Sequence, residues 1–260
     1  MAGTDRSKAA EGGAHEAGPA VVLVDPQLGE NIGMVARAML NCGLTELRLV
    51  RPRDGWPSAA AESAAAGADE VLARARLFDS TREAVADLRF VLATTARPRD
   101  LTKPVVTPRE AARELRAAMA AGRACGLLFG PERSGLTSDD VALADAIVRV
   151  PLNPAFSSLN LAQAVLLLGY EWFQAADATP ARALPLGTSA PVAKDELINF
   201  FERLEAALDE TGFMYPPEKR PAMVRNLRSL FTRAELTDQE VRSLHGVVSA
   251  LLGKKRRETD

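Results

Sequence analysis

This sequence predicts an α/β fold, a mainly parallel sheet with helices on both faces, followed by a small all-helical extension. Three observations predict it. From Ala20 onward, short runs rich in Val, Leu and Ile alternate with helical stretches. The polar turns that leave these runs are marked by Gly or Pro. After a proline-interrupted stretch, apolar residues recur only at helical spacing.

Residues 1–19 are Gly, Ala and charged residues without a period, and predict a disordered tail. Ala20–Val24, Glu46–Val50, Phe90–Thr94, Gly126–Phe129 and Ala146–Val150 read as buried strands. Helices are expected at Asn31–Cys42, near Ala59–Ala66, and at Thr81–Asp87, Pro108–Ala121 and Leu159–Ala175. The last carries Ala162, Val165, Leu166, Leu168 and Tyr170 around much of its circumference, so it is expected to be buried. Strand and helix in alternation make residues 20–175 one domain. Residues 176–192, broken by Pro180, Pro185 and Pro191, read as a linker. In the extension, 193–260, Leu197, Phe200, Phe201, Leu204 and Leu208 share one helix face. Val241, Leu244, Val248, Leu251 and Leu252 share another, opened by the capping-box pair Thr237 and Glu240. A helix at Met223–Ala234 lies between them.

Composition excludes several classes. No apolar run approaches the roughly 20 residues of a spanning helix, and the first twenty residues lack the apolar stretch of a signal peptide, so a cytoplasmic protein is expected. Cys42 and Cys125 have apolar neighbours and no zinc or redox spacing, and read as buried free thiols. With His15 in the tail and His245 in a terminal helix, no metal site is expected. The formal net charge of −2 argues against a chain that holds nucleic acid by overall charge. From Pro216 to the end, however, ten Lys or Arg face six Asp or Glu, so the extension is the basic part.

The marked turns would all open on one sheet edge, where open α/β folds bind ligands. In ENIGMVARAM (Glu30–Met39), a helix starting near Asn31 puts Ile32, Val35, Ala36 and Met39 on one face and turns Arg37 outward, over Gly33 one turn earlier. Arg37 is then a solvated arginine or a cation above space for a ligand; Asn31 suits an N-cap. LLFGPERSGLT (Leu127–Thr137) lacks both the Gly-Lys-Ser/Thr ending of a phosphate loop and dinucleotide-fold spacing. Its glycines either make the turn or let the backbone approach another ligand. In VPLNPAFSSLNLAQAV (Val150–Val165), Asn153, Pro154, Ser157, Ser158 and Asn160 crowd a helix entry, and Ser157 or Ser158 as N-cap explains only one of them. TTARPRDLTK brings Arg97 and Arg99 to the same edge, as a solvated loop or as phosphate ligands. Arg225, Arg228 and Arg233, with the KKRR run from Lys254, form a solvated basic face or a grip on RNA backbone.

Taken in order, N-x-G-x-x-x-R-A-M, L-x-F-G-x-E-x-x-G-L and N-P-x-x-S-S-L-N-L-A resemble the three motifs of the SpoU/TrmH branch of SPOUT RNA 2′-O-methyltransferases. TTARPRDL, ETGFM and LRSLFTRAEL extend the resemblance to its TrmJ-like group, from about Val21 to Leu252. The resemblance implies a deep C-terminal trefoil knot, S-adenosylmethionine as cofactor, and a homodimer with active sites at the subunit interface. It implies a tRNA substrate, methylated on a cytidine or uridine ribose at the first nucleotide of the anticodon loop. The alternatives are a ribosomal RNA ribose, or RNA binding without catalysis. By position it makes Arg37, Ser158 and Asn31 catalytic. It lines the cofactor pocket with Thr94, Thr95, Ala96, Gly130, Glu132, Gly135, Leu136, Val150, Leu152 and Leu159, and gives substrate handling to Arg99. Pro131 departs from non-proline relatives and stiffens its loop. A guanidinium keeps its charge, which suits Arg37 to stabilising negative charge on the attacking oxygen rather than accepting its proton.

Overall fold

The computed structural model describes residues 18–95, 101–182 and 186–253. The tail at 1–17, with Ala96, Arg97, Arg99 and the run from Lys254, lies outside the described residues. The chain divides after Thr179 into two units. The first runs β1 (Ala20–Val24), α1 (Gly29–Asn41), β2 (Leu47–Val50), α2 (Ala59–Ala65), α3 (Asp69–Ala73), β3 (Arg76–Phe78), α4 (Thr81–Val85), β4 (Phe90–Thr94), β5 (Val105–Val106), α5 (Pro108–Ala120), β6 (Cys125–Phe129), α6 (Ser138–Ala142), β7 (Ala146–Val148) and α7 (Leu161–Gln174). The second holds α8 (Lys194–Glu210), a 3-10 turn at Pro217–Lys219, α9 (Arg220–Arg233) and α10 (Asp238–Leu251).

Among the described residues seven strands form one sheet in the order β3-β2-β1-β6-β4-β7-β5, and every neighbouring pair is parallel. Apolar runs covered on both faces explain this: β1 and β6 are buried at every position. Alternate residues serve opposite layers. Val21 and Leu23 pack with Val35 of α1, Leu115 of α5 and Val165 of α7; Val22 and Val24 pack with Ala84 of α4 and Val141 of α6. The chain steps outward from β1 to β3, crosses to β4, and later inserts β6 between β1 and β4. Leu127 is therefore in register with both Val21 and Leu92. Parallel pairing puts the ends of β1, β6, β4 and β7, four adjacent strands, on one edge.

Four details differ from expectation. The first turn of α1 begins at Gly29 with Leu28 as cap, so Asn31 lies inside the helix rather than at its N-cap. Gly33 is no open platform under Arg37: a Cβ there would fall 2.1 Å from the Ala61 carbonyl oxygen, because α2 packs backbone-close on that face. Helix α7 is buried on one side only, through Val165, Leu168 and Trp172, while Leu166, Leu167, Tyr170 and Phe173 are exposed. Finally α3, β3, β5 and α6, at two to five residues, were not anticipated because they are too short to show a period.

In the second unit Leu197, Phe200 and Phe201 of α8 pack against Val241 and Val248 of α10. Phe231 of α9 meets Phe200 edge-on at 5.1 Å. The Thr237–Glu240 capping box forms as its residue types dictate. The last residues of the expected linker are part of this unit, since Val192 N–H donates to the Leu236 carbonyl (3.0 Å) and Ala190 N–H to the Asp238 carboxylate (3.2 Å).

Candidate active site

A single line of amide and carboxylate groups ties together the turns that leave β1, β6 and β7. Glu132, in the turn after β6, accepts the Gln27 N–H (3.1 Å) on Oε2 and the Asn31 Nδ2 (2.6 Å) on Oε1. Asn31 is 5% exposed, and its Oδ1 in turn accepts Asn160 Nδ2 at 3.2 Å. A buried amide with both ends satisfied is rigid, so the three turns hold one another in place. Both ends of Asn31, a residue the motif resemblance makes catalytic, are thus engaged within the protein.

Asn160 is the N-cap of α7. Its Oδ1 accepts the Ala162 N–H (2.9 Å), and Gln163 returns the bond to the Asn160 N–H (3.1 Å). Neither Ser157 nor Ser158 caps the helix; both are exposed in the loop before it, beside Phe156, which is 77% exposed. Asn160 wins because it stands three residues before Gln163, the spacing a capping box requires. That pattern was readable in the sequence. The contribution of Gln27 was not, because a backbone N–H has no residue signature.

The β6 turn is shaped by its glycines. A Cβ on Gly130 would lie 2.2 Å from the Leu136 nitrogen, and Gly135 takes φ +67° while its N–H bonds to the Pro131 carbonyl (2.9 Å). On its other side Gly135 faces open space, with nothing within 4 Å of a Cβ. Leu136 differs from expectation: its side chain is fully buried in the core, leaving only its backbone for a pocket. On the adjacent strands, Thr94 Oγ1 donates to the Leu128 carbonyl (2.9 Å) and Thr95 N–H to the Val148 carbonyl (3.3 Å). Val150, Leu152 and Leu159 are half-buried in the loop after β7. The edge thus offers bare backbone and apolar side chains, with its carboxylate already occupied.

Arg37 is exposed on α1, and among the described residues its guanidinium has no hydrogen-bond or ion-pair partner. It shares no hydrogen bond with Ser158 within the chain. Arg225 and Arg233 are exposed on α9, whereas Arg228 is half-buried and paired. Its Nε and Nη2 meet Glu205 at 2.6 and 3.0 Å, and it lies over the Phe201 ring. Glu205 is 8% exposed, and a carboxylate that deep needs a cation. Arg228 thus stabilises the second unit by neutralising Glu205, while its side chain stays 42% exposed.

The opposite edge of the sheet has its own charges. Arg48 of β2 is 2% exposed, donating to Glu46, Asp87 and the Ala84 carbonyl. The hydrogen bond from Arg48 holds the Asp87 carboxyl below its usual range. A shallow cavity of about 380 Å³ among Phe90, Pro104, Arg123 and Asp145 also lies at that edge, away from the motifs. Among the described residues no three His, Cys, Asp or Glu side chains are grouped to hold a metal ion, and no helix is long and apolar enough to cross a membrane.

Residues 18–170 match the family model described as the SpoU rRNA Methylase family, and residues 195–260 match that of the tRNA methyltransferase TrmJ, C-terminal domain. The tRNA (cytidine/uridine-2′-O-)-methyltransferase TrmJ of Pectobacterium atrosepticum is 39% identical, covering 89% of this chain and 95% of its own. The crystal structure of TrmJ from Z. mobilis ZM4 superposes with a TM-score of 0.79 at 50% identity, over 90% of this chain and 99% of that one. A structure described as giving insight into the 2-OH methylation of C/U34 on tRNA has a TM-score of 0.50 at 28% identity, over 61% of this chain and 96% of that one.

Proposed function

Because this chain belongs to the SpoU methylase family, on its TrmJ branch, we propose that it transfers a methyl group from S-adenosylmethionine to the ribose 2′-hydroxyl of a cytidine or uridine in tRNA. The carrying observation is that the likeness to the Z. mobilis TrmJ runs through both units, covering 90% of this chain at 50% identity. We take residues 20–175 as the catalytic domain and 193–260 as an RNA-binding extension, acting in the cytoplasm where tRNA is found. The relative concerned with C/U34 covers 61% of this chain. Within tRNA, we take the target to be the first nucleotide of the anticodon loop.

The residues at the edge fit S-adenosylmethionine. Bare backbone at Gly135 facing open space, with half-buried Val150, Leu152 and Leu159 in the loop after β7 at the same sheet edge, suits a flat neutral base. Thr94, Thr95, Gly130 and the Leu136 backbone would complete the pocket, with Ala96 beyond the described residues. When bound, this group supplies a methyl on a positively charged sulfur. Glu132 acts from behind, holding Asn31 and with it the start of α1. Arg37, a cation on that helix, would stabilise negative charge as the 2′-hydroxyl gives up its proton to solvent and attacks, while Ser158 orients the ribose. Arg99, also outside the described residues, would handle substrate with Arg97.

Insertion of β6 between two earlier strands, and the return of the chain after β7 to Asn31 through Asn160, support a knotted C-terminal part. The exposed Leu166, Leu167, Tyr170 and Phe173 on α7 support a homodimer in which a second copy brings its Ser158 near Arg37. Incubating the purified protein with labelled S-adenosylmethionine and either total tRNA or ribosomal RNA tests the reading. Label in tRNA, mapped by mass spectrometry to the first anticodon-loop nucleotide, is expected. Label confined to ribosomal RNA, or none, overturns it.

A further inference from the structure

The connection between α8 and α9 leaves aromatic surface in water although its backbone is pinned. Gly212, at φ +74°, donates to the Asp209 carbonyl (3.1 Å), Phe213 N–H to that of Leu208 (3.0 Å), and Tyr215 N–H to that of Gly212 (3.3 Å). Met214 is buried at 4% exposure, whereas Phe213 and Tyr215 on either side are 56% and 78% exposed. Their exposure is therefore not the fraying of a loose end. Aromatics are 5% of this chain, and Phe200, Phe201 and Phe231 already build the core of the unit. Two rings held outward in one anchored turn are unfavourable in water unless something covers them.

The surroundings select what that is. Tyr215 leads through the 3-10 turn into α9, whose outward face carries Arg225, Ser229 and Arg233 at four-residue steps, about 6 Å apart along the axis. Among the described residues the side chains of Lys219, Arg225 and Arg233 have no ion-pair partner. Asp209, by contrast, is neutralised by Arg220 at 2.7 Å, leaving Glu210 and Glu218 as the acids of the connection. Flat apolar faces followed along the chain by unpaired cations suit a polyanion with exposed rings of its own, which is single-stranded RNA. We propose that Phe213 and Tyr215 form a stacking platform for unpaired nucleobases of the RNA substrate, with Lys219, Arg225 and Arg233 on its phosphates. The proposal rests on the reading of this chain as a tRNA methyltransferase and deepens it, giving the second unit contacts to bases as well as backbone.

The test compares the full-length protein with its Phe213→Leu/Tyr215→Leu double variant. The probes are an anticodon stem-loop RNA carrying 2-aminopurine in the loop, and a fully paired RNA duplex of equal length. Stacking changes the 2-aminopurine fluorescence on binding, and its loss lowers stem-loop affinity about fivefold to a hundredfold. Duplex affinity, sedimentation and melting temperature stay as in the parent. Unchanged stem-loop affinity overturns the proposal, as does an equal loss on both RNAs. A changed sedimentation coefficient overturns it by showing that the rings cover a second copy, and a lowered melting temperature by showing that they pack against protein. A parent protein that stacks the probe yet methylates no tRNA removes the proposed function and leaves the platform standing.

Discussion

Replacing Gly33 with alanine puts a methyl group where α1 and α2 touch. The new Cβ would lie 2.1 Å from the Ala61 carbonyl oxygen and 2.9 Å from both its carbon and the Ala64 Cβ. Ordinary contact begins near 3.4 Å, so the shortfall exceeds 1 Å, and the obstacle is backbone that cannot rotate away. Overpacking of this kind costs about 1–3 kcal/mol, and a backbone clash sits at the upper end. Alanine returns roughly 1 kcal/mol in helix propensity, leaving about 2 kcal/mol of net destabilisation. For a unit of this size that lowers Tm by about 4–8 °C. Gly246, in α10, is the internal control: a Cβ there meets nothing within 4 Å, so the same substitution gains about 0.5–1 kcal/mol. Scanning calorimetry of the two full-length variants should show one transition falling and another rising. Methyl transfer by Gly33→Ala should drop by up to ~10²-fold, because α1 carries Asn31 and Arg37 and a shift near 1 Å misplaces them. A Gly33→Ala protein that melts at or above the parent temperature refutes the claim that backbone contact sets the spacing of these helices.

Other perturbations separate the roles assigned above. Arg37→Lys keeps the charge and loses the planar fork, and turnover should fall about 10²- to 10³-fold with cofactor affinity intact; near-normal turnover contradicts a guanidinium-specific role. Glu132→Gln turns an acceptor into a donor against the Gln27 N–H or Asn31 Nδ2, and should cost about 1.5–3 kcal/mol in a thermal melt. No loss would show that the line of hydrogen bonds carries no energy. Asp87 has a depressed folded-state pKa, so its contribution is present above its unfolded value near ~3.9 and vanishes as pH falls through the lower folded value. Acid melts of Asp87→Asn should lack that increment, and identical acid profiles for variant and parent would contradict it. Arg225→Gln should weaken tRNA binding across sequences and flatten the salt dependence by about one unit of slope, whereas an unchanged slope places Arg225 off the phosphates.

The central strands were readable because each is covered on both faces and so appears as an unbroken apolar run, and their shared edge followed from parallel pairing. What occupies the face of Gly33 was not readable: a sequence says that a Cβ is missing, not what stands in its place. Arg228 was within reach, since it falls with Val224, Leu227 and Phe231 on the inner side of α9, while Arg225 and Arg233 fall on the outer side. The line from Glu132 through Asn31 to Asn160 joins residues 101 and 129 positions apart. Local pattern carries no information at such separations, so only the motif resemblance could bring these turns together beforehand.

The position of β6 also governs how the chain must be made. When synthesis has reached Thr94, β1 and β4 exist as two strand edges with nothing between them, and the segment that completes the hydrogen-bonding of both is still some thirty residues away. A nascent protein held at that stage has unpaired apolar edges open to any neighbouring polypeptide. Until β6 has emerged the sheet cannot close, so the edges of β1 and β4 stay open to other strands through the whole interval between β4 and β6.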